Sequence, residues 1–181
     1  MGTKHKTKKR GGLGLIQIYT GRGKGKTTAS LGLAMRAVGH GLRVAIVHFM
    51  KIWDYGEVKS LNKLGIDLFR YGTTELIDPD NPSPVDFEEA EKAISKAEEL
   101  IQEGAYHIVI LDEITLAVDF NLIPLKRVID LLDKKPDNLE IVLTGRNCPW
   151  ELIKRADLVS VIDEIKHPFQ KGIKARKGIE F

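Results

Sequence analysis

A glycine-rich stretch near the amino-terminal end has the residue types and spacing best suited to chemistry, and it reads Thr20-Gly21-Arg22-Gly23-Lys24-Gly25-Lys26-Thr27-Thr28. Glycines let successive backbone N–H groups turn toward one point and bind an anion, and the start of a following helix adds partial positive charge there. In such a loop the Lys26 ammonium would contact phosphate oxygens and the Thr27 hydroxyl would bind Mg²⁺. The stretch therefore predicts a phosphate-binding P-loop, with Thr20 in the place of the first glycine of the strict motif.

Positive charge is dense in this loop, because Arg22, Lys24 and Lys26 are three cations within five residues. That density suits a triphosphate better than a monophosphate. The simpler interpretation is a glycine-rich turn between a strand and a helix. The order of apolar run, loop and helical pattern favours the P-loop, so we expect residues 21–28 to bind a nucleotide.

A pair of acidic residues, Asp112 and Glu113, comes directly after an apolar run at residues 108–111. An acid at the end of a buried strand can bind Mg²⁺ (or Mn²⁺), directly or through water, beside the hydroxyl of a P-loop. We therefore expect Thr27, Asp112 and Glu113 to hold a divalent metal ion, and we expect Lys26 and Glu113 to be the catalytic residues. The alternative is a strand-end acid that caps the next helix.

Arg146 follows another strand end and is a candidate phosphate contact, although exposed arginines are common. No pair of nucleophile and base is recognisable in the sequence. Cys148 has no obvious activating neighbour, no serine lies in a G-x-S-x-G elbow, and no His/Cys cluster has zinc spacing. We therefore expect the substrate to supply the nucleophile.

The elements that must position these residues follow from hydrophobic periodicity. Short apolar runs predict strands at residues 15–19, 44–49, 66–71, 108–111, 141–143 and 158–162. The runs at 44–49 and 108–111 are nearly continuous, which is typical of strands buried on both faces of a parallel sheet. Helical patterns lie between them at residues 28–38, 57–64, 84–104, 114–120, 125–132 and 149–156. This alternation predicts an α/β fold with a mostly parallel six-stranded sheet and helices on both faces, P-loop NTPase-like (RecA-like).

The predicted sheet brings four segments to one edge, the carboxyl ends of its strands, where ligands bind in such folds. These segments are the P-loop, residues 48–53, Asp112-Glu113 and Thr144-Gly145-Arg146.

Two helices have a predicted apolar face. In the helix after the loop, the residues at helical spacing are Leu31, Ala34, Met35 and Val38. In the long helix they are Phe87, Ala90, Ile94, Ala97 and Ile101. Ser83 is the expected N-cap of the long helix, with Pro84 at its first position.

The bulk composition limits the classes of protein and partner. The chain has 181 residues, and we expect a disordered basic arm at residues 1–12 and a single P-loop α/β domain at 13–181. Residues 1–10 hold five of the 28 Lys and Arg, so the other 23 face 25 Asp and Glu. This near-neutral body argues against nucleic-acid binding. We also expect no membrane span, because no run of 18 apolar residues occurs. We expect a cytoplasmic location, because a single cysteine cannot form a disulfide within the chain and is most simply a reduced thiol.

Several segments together resemble one family, the ATP:corrinoid adenosyltransferases of the cobalamin pathway. They are the loop described above, Arg36-Ala37-Val38-Gly39-His40-Gly41, Val109-Ile110-Leu111-Asp112-Glu113 and Thr144-Gly145-Arg146. The chain then ends in Lys166-His167-Pro168-Phe169, Gly172-Ile173-Lys174-Ala175-Arg176 and Gly178-Ile179-Glu180. The likeness spans residues 15–181, and its ending is more specific than the P-loop, which many families share.

The resemblance implies that the reduced cobalt(I) of a corrinoid attacks the 5′ carbon of ATP and that triphosphate leaves intact. Residues 21–27 would hold the triphosphate, and Thr27 with Glu113 would bind Mg²⁺. Arg36 would help to position the nucleotide. The resemblance also implies a homodimer whose amino-terminal residues close over the site. An electron donor such as a flavoprotein would be a further partner.

The chain departs from the family pattern at two places. Arg22 stands where the family usually has Asn, and Tyr71-Gly72-Thr73-Thr74-Glu75-Leu76 stands where the family often has a Phe-Thr-Trp stretch near the corrinoid. Tyr71 or Trp53 as a replacement on the corrinoid side is a hypothesis. Two other functions stay open at this stage: a P-loop kinase that acts on a small molecule, and a RecA-like ATPase that depends on nucleic acid.

Overall fold

The computed structural model describes residues 12–181, and the predicted arm at residues 1–12 lies outside this range except for Gly12. Six strands form one sheet: β1 (Ile16–Thr20), β2 (Val44–His48), β3 (Asp67–Arg70), β4 (Ile108–Asp112), β5 (Glu140–Thr144) and β6 (Leu158–Val161). Their order across the sheet is β3-β2-β4-β5-β1-β6, and every pairing is parallel. The carboxyl ends of all six strands therefore share one edge, as predicted.

Six α-helices connect these strands: α1 (Lys26–Gly39), α2 (Gly56–Lys63), α3 (Pro84–Glu103), α4 (Ile114–Asp119), α5 (Leu125–Asp133) and α6 (Trp150–Ile153). Successive residues of a strand point to opposite faces of the sheet. In β2, Ala45 and Val47 pack with the buried residues of α3, α4 and α5, whereas Val44 and Ile46 pack with those of α1 and α2. Helices thus cover both faces, and the predicted α/β, P-loop NTPase-like fold is confirmed.

The three central strands explain the apolar runs of the sequence. Every residue of β2, β4 and β5 is buried, because each strand has neighbours on both sides and helices above and below. Polar residues appear only near the ends of these strands, and those at the carboxyl ends belong to the candidate site.

The start of α3 has the cap that the sequence predicts. The Ser83 hydroxyl accepts a hydrogen bond from the Asp86 N–H, and Asp86 Oδ2 accepts one from the Ser83 N–H at 2.8 Å. Pro84 occupies the first helical position, where its missing N–H costs nothing. Neither α3, with 20 residues, nor any other helix of the described range is apolar and long enough to cross a membrane.

The prediction that Phe87 and Met35 belong to buried apolar faces is wrong. Phe87 is 44% exposed, because the capping box turns the neighbouring Asp86 inward and the buried stripe of α3 begins only at Ala90. Met35 is 60% exposed, because the neighbouring Ala34 and Ala37 provide the buried contact of α1 at this level. Both apolar faces are narrower than the hydrophobic pattern predicts.

Candidate active site

The loop between β1 and α1 lies against the end of the neighbouring edge strand. The Gly23 N–H donates to the Ile162 carbonyl at 2.7 Å. At Gly21 φ is +106°, and a Cβ there would lie 2.5 Å from the Ile162 carbonyl oxygen. Both the backbone angle and the close approach exclude a side chain at Gly21, so this glycine is required by the path of the loop.

Lys26 is the first residue of α1, and its side chain folds back into the loop. The ammonium Nζ donates to the carbonyl oxygens of Gly21 and Gly23, each at 2.9 Å. Burial lowers the pKa of Lys26, and the nearby Glu113 carboxylate opposes this shift. The two hydrogen bonds to the loop carbonyls hold the ammonium at the centre of the loop, the position from which a P-loop lysine reaches phosphate.

Asp112 links the loop to the central strands. Its carboxylate is fully buried and accepts hydrogen bonds from Thr27 Oγ1 at 3.0 Å, from Thr144 Oγ1 at 2.6 Å and from Lys51 Nζ at 2.7 Å. Burial alone would raise the pKa of Asp112, but the Lys51 ammonium and the hydrogen bonds from Lys51 and Thr144 outweigh it and lower the pKa. Asp112 is therefore an anion at neutral pH, with its two oxygens facing the P-loop hydroxyl.

Glu113 has an unusual backbone for a residue with a side chain. Its φ is 67°, in the left-handed region, and its N–H donates to Thr144 Oγ1 at 2.9 Å. Its Oε2 atom is buried and has no hydrogen-bond partner among the described residues. A strained backbone that holds an unpaired carboxylate oxygen is an arrangement that functional sites maintain, and such an oxygen suits a cation.

A magnesium ion fits this donor set. Mg²⁺ prefers oxygen ligands and is usually held by one or two carboxylates together with waters and substrate phosphates. Thr27, Asp112 and Glu113 offer a hydroxyl and carboxylates in one cluster. Within the described residues no group of three His, Cys, Asp or Glu side chains could hold a metal without further ligands. A metal ion here would therefore depend on the phosphates for the rest of its coordination.

His48 and Cys148 are neutral at physiological pH. His48 is fully buried at the end of β2, and burial lowers its pKa to about 4. Burial raises the pKa of the Cys148 thiol to about 12, so almost no nucleophilic thiolate is present near neutral pH. A thiol that stays protonated is a poor nucleophile.

A cleft of about 920 Å³ opens over the loop, which is within the usual size of a small-molecule site. Most of the predicted nucleotide-binding residues line it together with Glu113, namely Arg22, Gly23, Lys24, Gly25, Lys26, Thr27, Thr28 and Arg146, whereas Gly21 does not. Asp112 is buried behind these residues and accepts a hydrogen bond from Thr27. Arg36 does not line the cleft, because it is ten residues along α1 from Lys26, about 15 Å at the rise of a helix.

A second wall of the cleft includes residues of the carboxyl-terminal segment, residues 164–181. Phe169, Ile179 and Phe181 line the cleft, although more than 40% of each is exposed. Lys24 Nζ donates to Glu180 Oε1 at 2.8 Å and joins the two walls. Hydrogen bonds from Arg176 first and from Lys24 second lower the pKa of Glu180 to about 2, so Glu180 is ionised at neutral pH.

Sequence reasoning missed three contributions to the site. It assigned no role to Lys51, which lies three residues after a buried strand, and it treated Thr144 only as part of a strand end. It gave the carboxyl-terminal segment no predicted helix or strand, and only the family resemblance pointed to this segment. Apart from a 3₁₀ turn at Pro168–Lys171 the segment is irregular, so its place beside the loop has no local signal in the hydrophobic pattern.

Comparisons with known proteins identify one family for this chain. A family model described as "ATP:corrinoid adenosyltransferase BtuR/CobO/CobP" matches residues 12–181. The chain is 36% identical over 169 residues to the corrinoid adenosyltransferase of Escherichia coli (strain K12), covering 93% of this chain and 86% of that protein. It is 40% identical over 172 residues to the corrinoid adenosyltransferase of Sinorhizobium sp, covering 93% and 80%. The corrinoid adenosyltransferase CobA of Salmonella typhimurium is 36% identical over 174 residues, covering 93% and 86%. The chain therefore belongs to the ATP:corrinoid adenosyltransferase family.

Proposed function

We propose that this chain transfers the 5′-deoxyadenosyl group of ATP to the cobalt(I) of a reduced corrinoid and releases triphosphate, in the synthesis or salvage of adenosylcobalamin. The observation that supports it most is the family match across residues 12–181. The site agrees with this reaction because a cationic loop and a second wall enclose a cleft large enough for a nucleotide.

The chemistry needs little from the protein beyond position and charge. The electron pair of cobalt(I) forms the Co–C5′ bond, and the C5′–O bond breaks with its electrons leaving on the triphosphate. No protein group has to accept a proton. The task left to the residues is to hold ATP in line and to stabilise the negative charge that develops on the leaving group.

The cations of the loop match that task. Lys26, as the proposed catalytic residue, would contact the departing phosphates, and Arg22, Lys24 and Arg146 would add charge along the triphosphate. All four line the cleft. Because the triphosphate leaves whole, these charges stabilise the departing group rather than a transferred phosphoryl group. The proposed contact between Arg36 and the nucleotide has no support from the cleft.

A divalent metal, Mg²⁺ or Mn²⁺, is part of this proposal. Thr27, Asp112 and Glu113 would hold it, and when bound it would neutralise part of the triphosphate charge. The support is the unpaired Glu113 Oε2 atom and the hydrogen bond between Thr27 and Asp112.

Three further parts of the proposal rest on the family resemblance: a homodimer, a basic amino-terminal arm that closes over the site, and an electron donor such as a flavoprotein that reduces the cobalt. The proposed cytoplasmic location rests on the single cysteine, and the proposed single P-loop domain at residues 13–181 rests on chain length and composition. Trp53 and Tyr71 stay hypotheses for the corrinoid side. Trp53 is 43% exposed, stacks with Tyr55 and donates through Nε1 to the Thr74 carbonyl.

Product analysis tests the proposed reaction. We expect the protein, ATP and a chemically reduced corrinoid to form intact triphosphate and a light-sensitive adenosylated corrinoid, detected by ³¹P NMR and by absorbance before and after illumination. ADP as the product would indicate a kinase. ATP hydrolysis stimulated by DNA or RNA would indicate the RecA-like alternative.

Lys26→Ala tests whether the loop binds the leaving group. We expect its kcat/KM to fall at least about 100-fold, since a charge aimed at the transition state is lost. Circular dichroism should show an unchanged fold. Lys126→Ala, at a lysine on α5 that is 82% exposed, is the matched control and should keep full activity. Equal activity of the two variants would refute the phosphate role of Lys26.

A further inference from the structure

Lys51 lies at the centre of the oxygen cluster that we assign to the metal. Its Nζ atom is 2.7 Å from Asp112 Oδ2, 3.1 Å from Thr27 Oγ1 and 3.5 Å from Glu113 Oε1. These three oxygen-bearing residues are the complete protein donor set of the proposed metal site. One ammonium therefore contacts every group that a divalent cation would need.

The backbone around Lys51 holds the side chain in this place. Met50, just before it, has a φ of 59° in the left-handed region. The Lys51 N–H donates to the Tyr71 carbonyl at 2.9 Å. A Cβ at Gly72 would lie 2.7 Å from the Met50 carbonyl carbon, so this close approach of the two strand ends requires a glycine. The turn after β2 is thus built to direct Lys51 at the cluster.

Electrostatics explains why a cation is required here. Asp112 is fully buried and ionised, and a buried carboxylate without a positive partner is strongly destabilising. Burial opposes the charge of Lys51, but Asp112 and Glu113 outweigh it and raise the pKa of Lys51. The ammonium is therefore fully charged at neutral pH and compensates the two carboxylates.

We propose that Lys51 is the resident cation of this site, a positioning residue that holds Thr27, Asp112 and Glu113 together and exchanges with the divalent metal when nucleotide binds. The inference rests on the metal assignment of the proposed function. A metal ion bound to the same oxygens that Lys51 Nζ contacts would lie beside the ammonium and would be strongly repelled by it. The metal therefore enters only as the ammonium leaves.

The displaced Lys51 ammonium can move into the cleft. Lys51 is 21% exposed and lines the same cleft as Lys26 and Arg146, and a lysine stem is flexible. After the exchange its charge stays beside the bound nucleotide and adds to the charge that faces the triphosphate. The Lys51 charge therefore faces the triphosphate only when both nucleotide and metal are present, because the metal then replaces it beside Asp112 and Glu113.

Mn²⁺ titration tests the exchange. We compare the wild type, Lys51→Met, Lys51→Arg and the control Lys126→Met, each saturated with ATP without corrinoid, and measure bound Mn²⁺ by electron paramagnetic resonance. Lys51→Met removes the competing charge, so its dissociation constant for Mn²⁺ should fall about tenfold or more. Lys51→Arg keeps a cation and should bind Mn²⁺ no more tightly than the wild type. Equal or weaker Mn²⁺ binding by Lys51→Met would overturn the proposal.

The wild-type protein provides a second test that does not depend on the folding of a variant. The ¹⁵N-labelled ammonium group of Lys51, assigned with Lys51→Arg, should shift when Mg²⁺ is added to the ATP complex. A Lys51 signal that does not change while Mg²⁺ binds would reject the exchange but leave the metal site standing. If Mn²⁺ in the ATP-saturated wild type fails to bind beyond ATP itself, the metal assignment of the proposed function falls, and the exchange falls with it.

Discussion

At the scale of single residues, His48 is held in an unusual environment. It is fully buried at the end of β2, and neither ring nitrogen has a hydrogen-bond partner among the described residues. The Asp112 carboxylate lies 3.8 Å from Nε2 and favours the charged ring, but burial outweighs this attraction and lowers the pKa of His48 to about 4. The imidazole is therefore neutral beside two charged groups, Asp112 and Lys51.

This environment predicts that the wild type loses free energy of unfolding in acid, and that His48→Gln lacks this loss. The pKa of His48 rises from about 4 to its ordinary 6.5 on unfolding, so between pH 6.5 and pH 4 the unfolded chain binds a proton that the folded chain does not. The wild type should lose about 3 kcal/mol more stability than His48→Gln over this interval. Urea unfolding at pH 7 and pH 4 measures the difference, and parallel pH profiles would contradict the prediction.

At the scale of elements, the start of α3 shows how a local signal defines an end of a helix. Ser83 and Asp86 bond reciprocally, and Pro84 follows the cap. The helix ends at Gly104, which has a φ of 65°. Because both signals act within a few residues, they could be identified without knowledge of the rest of the fold.

Ser83→Ala should destabilise the protein by about 1 kcal/mol, the usual cost of losing an N-cap. The Asp86 N–H loses its side-chain acceptor while the remainder of α3 stays intact. Differential scanning calorimetry should show a Tm lower by about 2–4 °C. Ser160→Ala, at an exposed serine of β6 away from any helix start, is the control and should leave Tm nearly unchanged. An equal Tm for both variants would show that the cap contributes little.

At the scale of the whole molecule, one edge of the sheet is apolar and has no neighbouring strand among residues 12–181. All four residues of β6 are exposed, and Leu158, Val159 and Val161 among them are hydrophobic. Open, hydrophobic edge strands are uncommon on monomers, which usually protect them with charge or cover them. This edge supports the homodimer of the proposed function.

We expect light scattering to give about twice the 20.2 kDa mass of the chain at micromolar concentration. Val161→Lys introduces a charge on the open edge and should shift the protein toward the monomer. Leu76→Lys changes an equally apolar but separate residue in the loop at 72–83 and should keep the dimer. A wild type that is monomeric at every concentration would refute the homodimer. If Val161→Lys stays dimeric, the interface lies elsewhere.

The sequence by itself determined the class of fold and the centre of the site. Strand and helix periodicity, the glycines between β1 and α1, and the acids after β4 are local patterns, and each restricts the backbone within a few residues. Once the strands are parallel, their carboxyl ends meet, so the P-loop, Asp112-Glu113 and Arg146 come together without further information.

The tertiary structure alone decided which side chains complete that site. Lys51 meets Asp112 across 61 residues, and Lys24 meets Glu180 across 156, so no local pattern could predict either contact. The exposed Met35 and Phe87 show the same limit, because burial depends on the width of the surface a helix packs against. Local rules act through backbone geometry, whereas pairing between distant charges depends on how the whole sheet brings its strand ends together.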